Sequence, residues 1–182
     1  MKIPDQAHRV FKGTIFDVYQ WDQELYDGSH GVFEMLKRAD TLQILATEGD
    51  KILVTYESQP NKEGFYSFPG GKAEDAEDPL SCAKREMLEE TGMESDDWKL
   101  YRVYEPFHKI DWKIYYYIAR NCRTVRPPQL DAGERIEVKR LSFDEFIQFI
   151  IDGHYGDGAF VTDILRMKLN DPDLTEFRKM LF

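Results

Sequence analysis

A mixed β-sheet with helices on its faces, preceded by a small antiparallel β unit, is the α/β (α+β) architecture that the 182 residues predict. Three observations carry it. Strand-like and helix-like segments interleave without a regular βαβ alternation, which disfavours a doubly wound parallel sheet. Aromatic and branched residues crowd the strand-like runs, so the core is β-centred. The helix-like runs carry explicit start and stop signals.

The first forty residues have a β pattern: VFKGTIFDVYQW, a turn at Asp27-Gly28, then GVFEMLKR. So small a sheet is not stable alone. Residues 1–39 are therefore expected to form a subdomain that packs on the remainder, 40–182, or on a second subunit. From Thr41 the pattern resets, with TLQILATEG and KILVTYES joined as a hairpin at Gly49-Asp50, followed by turn-rich QPNKEGFYSFPGG. A helix comes next, with Asp78 as N-cap, Pro79 at its first position and Gly92 as its stop. WKLYRVYEPF, WKIYYYIARNC and GERIEVKRLS supply three more strands. Ser142 and Glu145 form a capping box for a second helix that ends at Gly153. The tail from Phe160 holds two further helical patterns, broken at Asn170-Asp171-Pro172.

Composition narrows the function. With 42% hydrophobic residues the chain can bury one core. No run approaches the roughly 18 apolar residues of a membrane span, and MKIPDQAHRVFKG lacks a signal-peptide core, so a cytoplasmic protein is expected. Cys82 and Cys122 are far apart and are expected to be reduced packing residues. A net charge of −10 disfavours nucleic-acid and membrane partners. A local basic pocket for a small anion remains compatible with it.

Against that charge, Glu86, Glu89 and Glu90 sit close together on the first helix. At 100° per residue, Leu80, Met87, Leu88 and Thr91 share one side, the three acids another, and Ala83 the border. Like charges three or four residues apart cost about 0.2–0.5 kcal/mol per pair unless a cation neutralises them. Arg85 relieves part of this through Glu89. Oxygen donors alone suit a hard divalent ion, with magnesium drawing a phosphate-bearing ligand. Acidic helices are ordinarily solvated faces, so the carboxylates by themselves establish nothing.

The full spacing is more specific. Gly71, five residues, Glu77, seven residues, Arg85-Glu86-Met87, one residue, Glu89-Glu90, one residue and Gly92-Met93 reproduce the fixed positions of the Nudix box. The chain resembles the Nudix hydrolase family, and most closely its ADP-ribose and nucleoside-diphosphate-sugar pyrophosphatase branch. That resemblance implies an α/β/α sandwich, a loop-helix-loop metal site and cleavage of a nucleoside diphosphate linked to another moiety. It implies Mg2+ or Mn2+ as cofactor, with Glu86 and Glu90 as principal ligands and Glu89 as a further ligand or holder of metal-bound water. The Gly70 carbonyl corresponds to a backbone ligand. Arg85, Glu77 and Gly71 correspond to supporting positions, Arg85 pairing with acids of the box. Nucleoside triphosphates, dinucleotides, and sensing without cleavage are the alternatives.

For the general base, Glu134 in AGERIEV corresponds to the family's loop acid, with Asp131 and Glu137 close by in sequence. The substrate is expected to be a small nucleotide, and the protein a homodimer. In that branch the N-terminal sheet reaches a partner subunit, which makes Phe16, Tyr19, Trp21 and Phe33 candidates for stacking on the base. Core or dimer packing is the commoner role for such residues. Pro106 falls near a proline of that branch, and His108-Lys109 and Lys113 are available to a phosphate. Two departures stand out: Ser67 replaces the usual Glu two residues before the loop proline, and Ser58-Gln59 stand at an Arg-rich strand end.

Overall fold

The computed structural model describes residues 2–60 and 62–182, with Glu63 described in its backbone only. Strands β1 (His8–Lys12), β2 (Asp17–Glu24) and β3 (His30–Lys37) form an antiparallel meander. Strands β4 (Thr41–Glu48), β5 (Lys51–Gln59) and β6 (Lys62–Ser67) lead into helix α1 (Pro79–Thr91). Then come β7 (Met93–Glu94), β8 (Asp97–Tyr104), β9 (Ile110–Asp111), β10 (Ile114–Arg120), β11 (Arg123–Thr124) and β12 (Arg135–Leu141). Helices α2 (Phe143–Ile151), α3 (Gly158–Asn170) and α4 (Thr175–Leu181) close the chain.

The central sheet has the order β12-β5-β4-β10-β8, with β6 also on β5. It is mixed, because β10 runs parallel to β4 and antiparallel to β8. Side chains alternate across a strand, so each strand serves both faces. Leu42, Ile44, Leu53, Tyr117 and Ala119 pack with Cys82, Ala83 and Met87 of α1. Leu45, Ile52, Val54, Tyr116 and Ile118 pack with Phe146, Phe160 and Phe177 of α2, α3 and α4. The result is helix, sheet, helix, as the sequence predicts.

Several details differ from the sequence reading. The first β run is two strands, because Gly13 N–H donates to Phe16 carbonyl at 3.1 Å and folds the chain back there. The N-terminal sheet gains a fourth strand that the sequence reading did not include, β9, which adds to β3 in parallel at Leu36–Ile110 and Lys37–Asp111. Turn-rich QPNKEGFYSFPGG contains a strand, β6, whose Ser67, Tyr66 and Phe65 pair with Thr55, Tyr56 and Glu57; Asn61 of that stretch lies outside the described residues. Past β6, Pro69 and Gly71 carbonyls accept from Ile44 and Leu42 N–H at 2.8 and 2.9 Å, so the glycine loop runs along β4.

The caps form as their residue types require. Asp78 accepts from Ser81 N–H, and α1 ends on Gly92 in the left-handed region. Ser142 and Glu145 cap α2 reciprocally.

Candidate functional site

One side of α1 is held against the glycine loop. Glu90 is only 7% exposed, and its Oε2 accepts from Gly70 N–H at 2.8 Å. Glu86, one turn earlier, stands so close to Gly71 that a Cβ there would lie 2.4 Å from its carboxyl carbon. Gly70 has φ +150°, and a Cβ on it would meet Leu42 carbonyl oxygen at 2.0 Å. Two glycines at this point are thus a steric requirement of the approach between loop, strand and helix. Arrayed in this way, Glu90 belongs to the buried surface of α1 beside Ala83 and Met87, while Glu89 lies outward.

A single guanidinium ties the acids together. Arg85 grips Glu77 with two bonds, Nε to Oε1 at 3.0 Å and Nη2 to Oε2 at 3.1 Å. Its Nη1 reaches Glu89 at 2.9 Å and Glu86 at 3.0 Å. A planar fork with several donors can do this where an ammonium cannot. Hydrogen bonds from Arg85, then from Glu74 N–H, hold the Glu77 carboxyl down to about 2. Arg85 itself is pushed up, first by its bonds to Glu77.

Glu90 goes the opposite way. Burial pushes its pKa well above the ordinary value, against the Gly70 N–H, and the negative charges of Glu57, Glu86 and Glu134 add to the rise. Glu86 is also raised, chiefly by burial, with Arg85 opposing and Glu89 and Glu134 reinforcing. The helix therefore carries two kinds of acid. Glu77 has its cation; Glu86 and Glu90 are crowded and undercompensated.

The same interactions place Glu134. It follows a turn closed by its N–H on Asp131 carbonyl at 3.0 Å, and its charge acts on Glu57, Glu86 and Glu90. Alternation from Val138, which packs toward α1, puts Glu134 on that face of the sheet. Asp131 is exposed, and Glu137 is exposed and paired with Lys139.

Glu57 is the residue that sequence reasoning missed. It lies on β5, its Oε1 accepts from Thr55 hydroxyl at 2.6 Å, and burial, followed in part by Glu134, raises its pKa. The signal was present. Leu53, Thr55 and Glu57 alternate, and Leu53 packs toward α1, so the acid two residues beyond the buried Thr55 faces the box helix.

Among the described residues no three acidic, histidine or cysteine side chains are gathered at metal-binding distance in this arrangement. Arg85 draws Glu86 and Glu89 to itself. The donor chemistry nevertheless fits a hard divalent cation: carboxylate oxygens without thiolate or imidazole, carrying buried negative charge that one guanidinium only partly offsets.

The four N-terminal aromatics sit elsewhere. Trp21 is 7% exposed and its ring lies 6.0 Å from that of Phe33, so packing accounts for it. Lys109 stands over Phe33 and Arg38 over Phe16. Tyr19 lines a cleft with Arg38, Lys72 and Asp75. A different aromatic cavity, of about 690 Å³, opens beside the glycine loop and is lined by Gln43, Phe65, Ser67, Pro106 and Trp112 among others. A polar one of about 640 Å³ lies between Tyr56, Ser58 and Gln59 and the Gly133-Glu134-Arg135 turn.

A capped helix whose acids face a glycine loop on one side of a mixed sheet defines the class: the NUDIX domain family model matches residues 36–163, and the chain belongs to that family. Among individual proteins, it is 25% identical over 171 residues to the methanol dehydrogenase activator of Bacillus methanolicus, covering 91% of this chain and 92% of that one. It is 26% identical over 166 residues to the ADP-ribose pyrophosphatase of Bacillus subtilis (strain 168), covering 88% and 90%. A crystal structure of an ADP compounds hydrolase superposes with a TM-score of 0.71 over 92% of this chain and 94% of that one, at 16% identity, which is a likeness of fold.

Proposed function

We propose that this enzyme hydrolyses the pyrophosphate bond of a nucleoside diphosphate linked to another moiety, ADP-ribose or a nucleotide sugar. The observation that carries the reading is the pair of undercompensated carboxylates, buried Glu90 and half-buried Glu86, held against the Gly70-Gly71 loop. Such a pair is unfavourable for stability alone. It is suited to a cation that a diphosphate also binds.

Glu86 and Glu90 would hold Mg2+ or Mn2+, with Glu89 and the Gly70 carbonyl as further donors, and the bound ion would offset phosphate charge and acidify a water. The chain's own residues do the remainder. Arg85, braced by Glu77, fixes the helix acids in direction. Glu134, half-buried and close enough to Glu57, Glu86 and Glu90 to act on them, would take the proton of the attacking water. Burial around Glu90 keeps bulk water from competing for the same charges.

The N-terminal sheet supports a homodimer as part of this proposal, with Phe11 at 60% and Val32 at 73% exposure on it. Among the described residues no helix is long and apolar enough to cross a membrane; a cytoplasmic setting belongs to the same proposal. Sedimentation at micromolar concentration tests the dimer.

The activity is tested by incubating purified protein and magnesium with ADP-ribose, nucleotide sugars, dinucleotides and triphosphates, with products resolved by mass. AMP and ribose phosphate from ADP-ribose is the expected result. Turnover confined to triphosphates, with release of pyrophosphate, would refute it.

A further inference from the structure

Beneath the aromatic cavity lies a chain of buried polar groups whose hydrogens can be counted. Tyr116 hydroxyl is 2.7 Å from Asp157 Oδ2 and 2.6 Å from Tyr155 hydroxyl, and Tyr155 hydroxyl is 3.1 Å from Oε1 of Gln43. Three contacts require three hydrogens. The two phenols supply two. Asp157 as a carboxylate supplies none: its other oxygen accepts from Ala159 and Phe160 N–H at 2.9 and 3.2 Å, capping α3, where negative charge is favoured. Protonating it would remove the anion from that helix terminus.

The missing hydrogen is available from Gln43. Carboxamide oxygen and nitrogen exchange places by a half-turn, so the hydrogen-bond network decides between them. With Nε2 toward Tyr155, the chain closes: Gln43 donates to Tyr155, Tyr155 to Tyr116 and Tyr116 to Asp157. Gln43 is then left with Oε1, an acceptor, for the cavity it lines.

The cavity's place and walls say what that acceptor meets. Gln43 Cα would lie 3.1 Å from a Cβ on Gly70, so the residue borders the loop whose other side meets Glu90. Phe107 and Trp112 stack at 6.1 Å with a 14° tilt on the cavity wall, which suits a flat heteroaromatic ring. The polar cavity beside Glu134 suits a hydroxylated moiety instead.

We propose that Gln43 sets base specificity: its carboxamide, pinned by Tyr155, presents an acceptor that selects a nucleobase carrying an exocyclic amine, adenine over hypoxanthine. The inference rests on the proposed function for the nucleotide, and extends it to the base. Tyr155 acts as a positioning residue, since it fixes the carboxamide's direction.

Calorimetric binding of AMP and IMP to the full chain tests this without reference to turnover. AMP is expected to bind at least about tenfold tighter, the equivalent of one lost hydrogen bond that leaves two acceptors facing. In Gln43→Leu, AMP affinity falls to that of IMP. In Tyr155→Phe, which removes only the hydroxyl that pins Gln43 and keeps the ring on the cavity wall, the carboxamide is free to turn; AMP affinity stays within about threefold while IMP affinity rises toward it. No AMP binding, equal affinities in the parent, or a ratio unmoved in both variants would overturn the assignment. If the AMP–IMP difference is present but ADP-ribose is not hydrolysed, the base assignment stands and the proposed activity falls.

Discussion

Replacing Gly71 with alanine should separate catalysis from folding. The new Cβ would lie 2.4 Å from both the carboxyl carbon and Oε1 of Glu86. Ordinary contact begins at 3.4 Å, so the carboxylate must retreat by 3.4 − 2.4 = 1.0 Å. It is the far end of a flexible side chain, and the move is conformationally cheap. A misplacement of about 1 Å in a site of this kind costs about 10²-fold in rate, or ~2.7 kcal/mol of barrier. Gly70→Ala offers the contrast. There the Cβ meets Leu42 carbonyl oxygen, a backbone atom, at 2.0 Å, and φ is +150°. That variant should lose at least about 3 kcal/mol of stability, a Tm drop of roughly 6–12 °C for a chain of this size. Measuring kcat/KM on ADP-ribose with magnesium, and Tm by calorimetry, distinguishes the two. Full activity in Gly71→Ala, or equal Tm losses in both variants, would refute the argument that Glu86 must stand against the loop.

Glu90→Gln keeps the acceptor for Gly70 N–H and removes a buried charge, so turnover should fall by at least about 10³-fold while Tm in the absence of metal holds or rises; a Tm loss above a few degrees would count against it. Glu134→Ala should lower kcat by about 10²–10⁴-fold with little change in Tm, and Glu137→Ala should leave kcat within about twofold; equal losses would remove Glu134 from the base position. The Glu77 carboxyl titrates at about 2 in the fold against an ordinary 4.5, so the stability it contributes is complete above about 4.5 and is lost as pH falls toward 2. Glu77→Gln should therefore be less stable than the parent at pH 7 and converge with it only as pH falls to about 2, as followed by urea midpoints across that range.

Local signals made the box helix legible: Asp78, Pro79 and Gly92 bound it as their side-chain chemistry requires, and the spacing from Gly71 to Met93 identified its acids. Strands β4 and β10 were legible as short apolar runs rich in branched and aromatic residues, buried on both faces, and β12 by its alternation. What escaped was non-local. Strand β6 contains Gly64 at φ +52°, a turn residue by type, and forms because β5 offers it a free edge. Glu57 shares its strand face with Leu53 and Thr55, a local signal, but that this face is the one that meets α1 is set by tertiary packing. The division of the first β run at Gly13–Phe16 depends on β1 returning to pair β2 with a register shift between Arg9 and Phe11. The resemblance directed attention to the N-terminal sheet for stacking, and Phe107 and Trp112, from the connection after β8, were not singled out although they line the cavity beside the loop.

Because α1 covers one side of the central sheet and α2, α3 and α4 the other, the proposed phosphate handling and the proposed base reading would fall on opposite sides of the Gly70-Gly71 loop. Each can drift independently in descent. A change among Gln43, Tyr155 or Trp112 would retune which nucleotide is admitted and leave the hydrolytic apparatus intact, so paralogues of different taste are accessible by single steps from this scaffold.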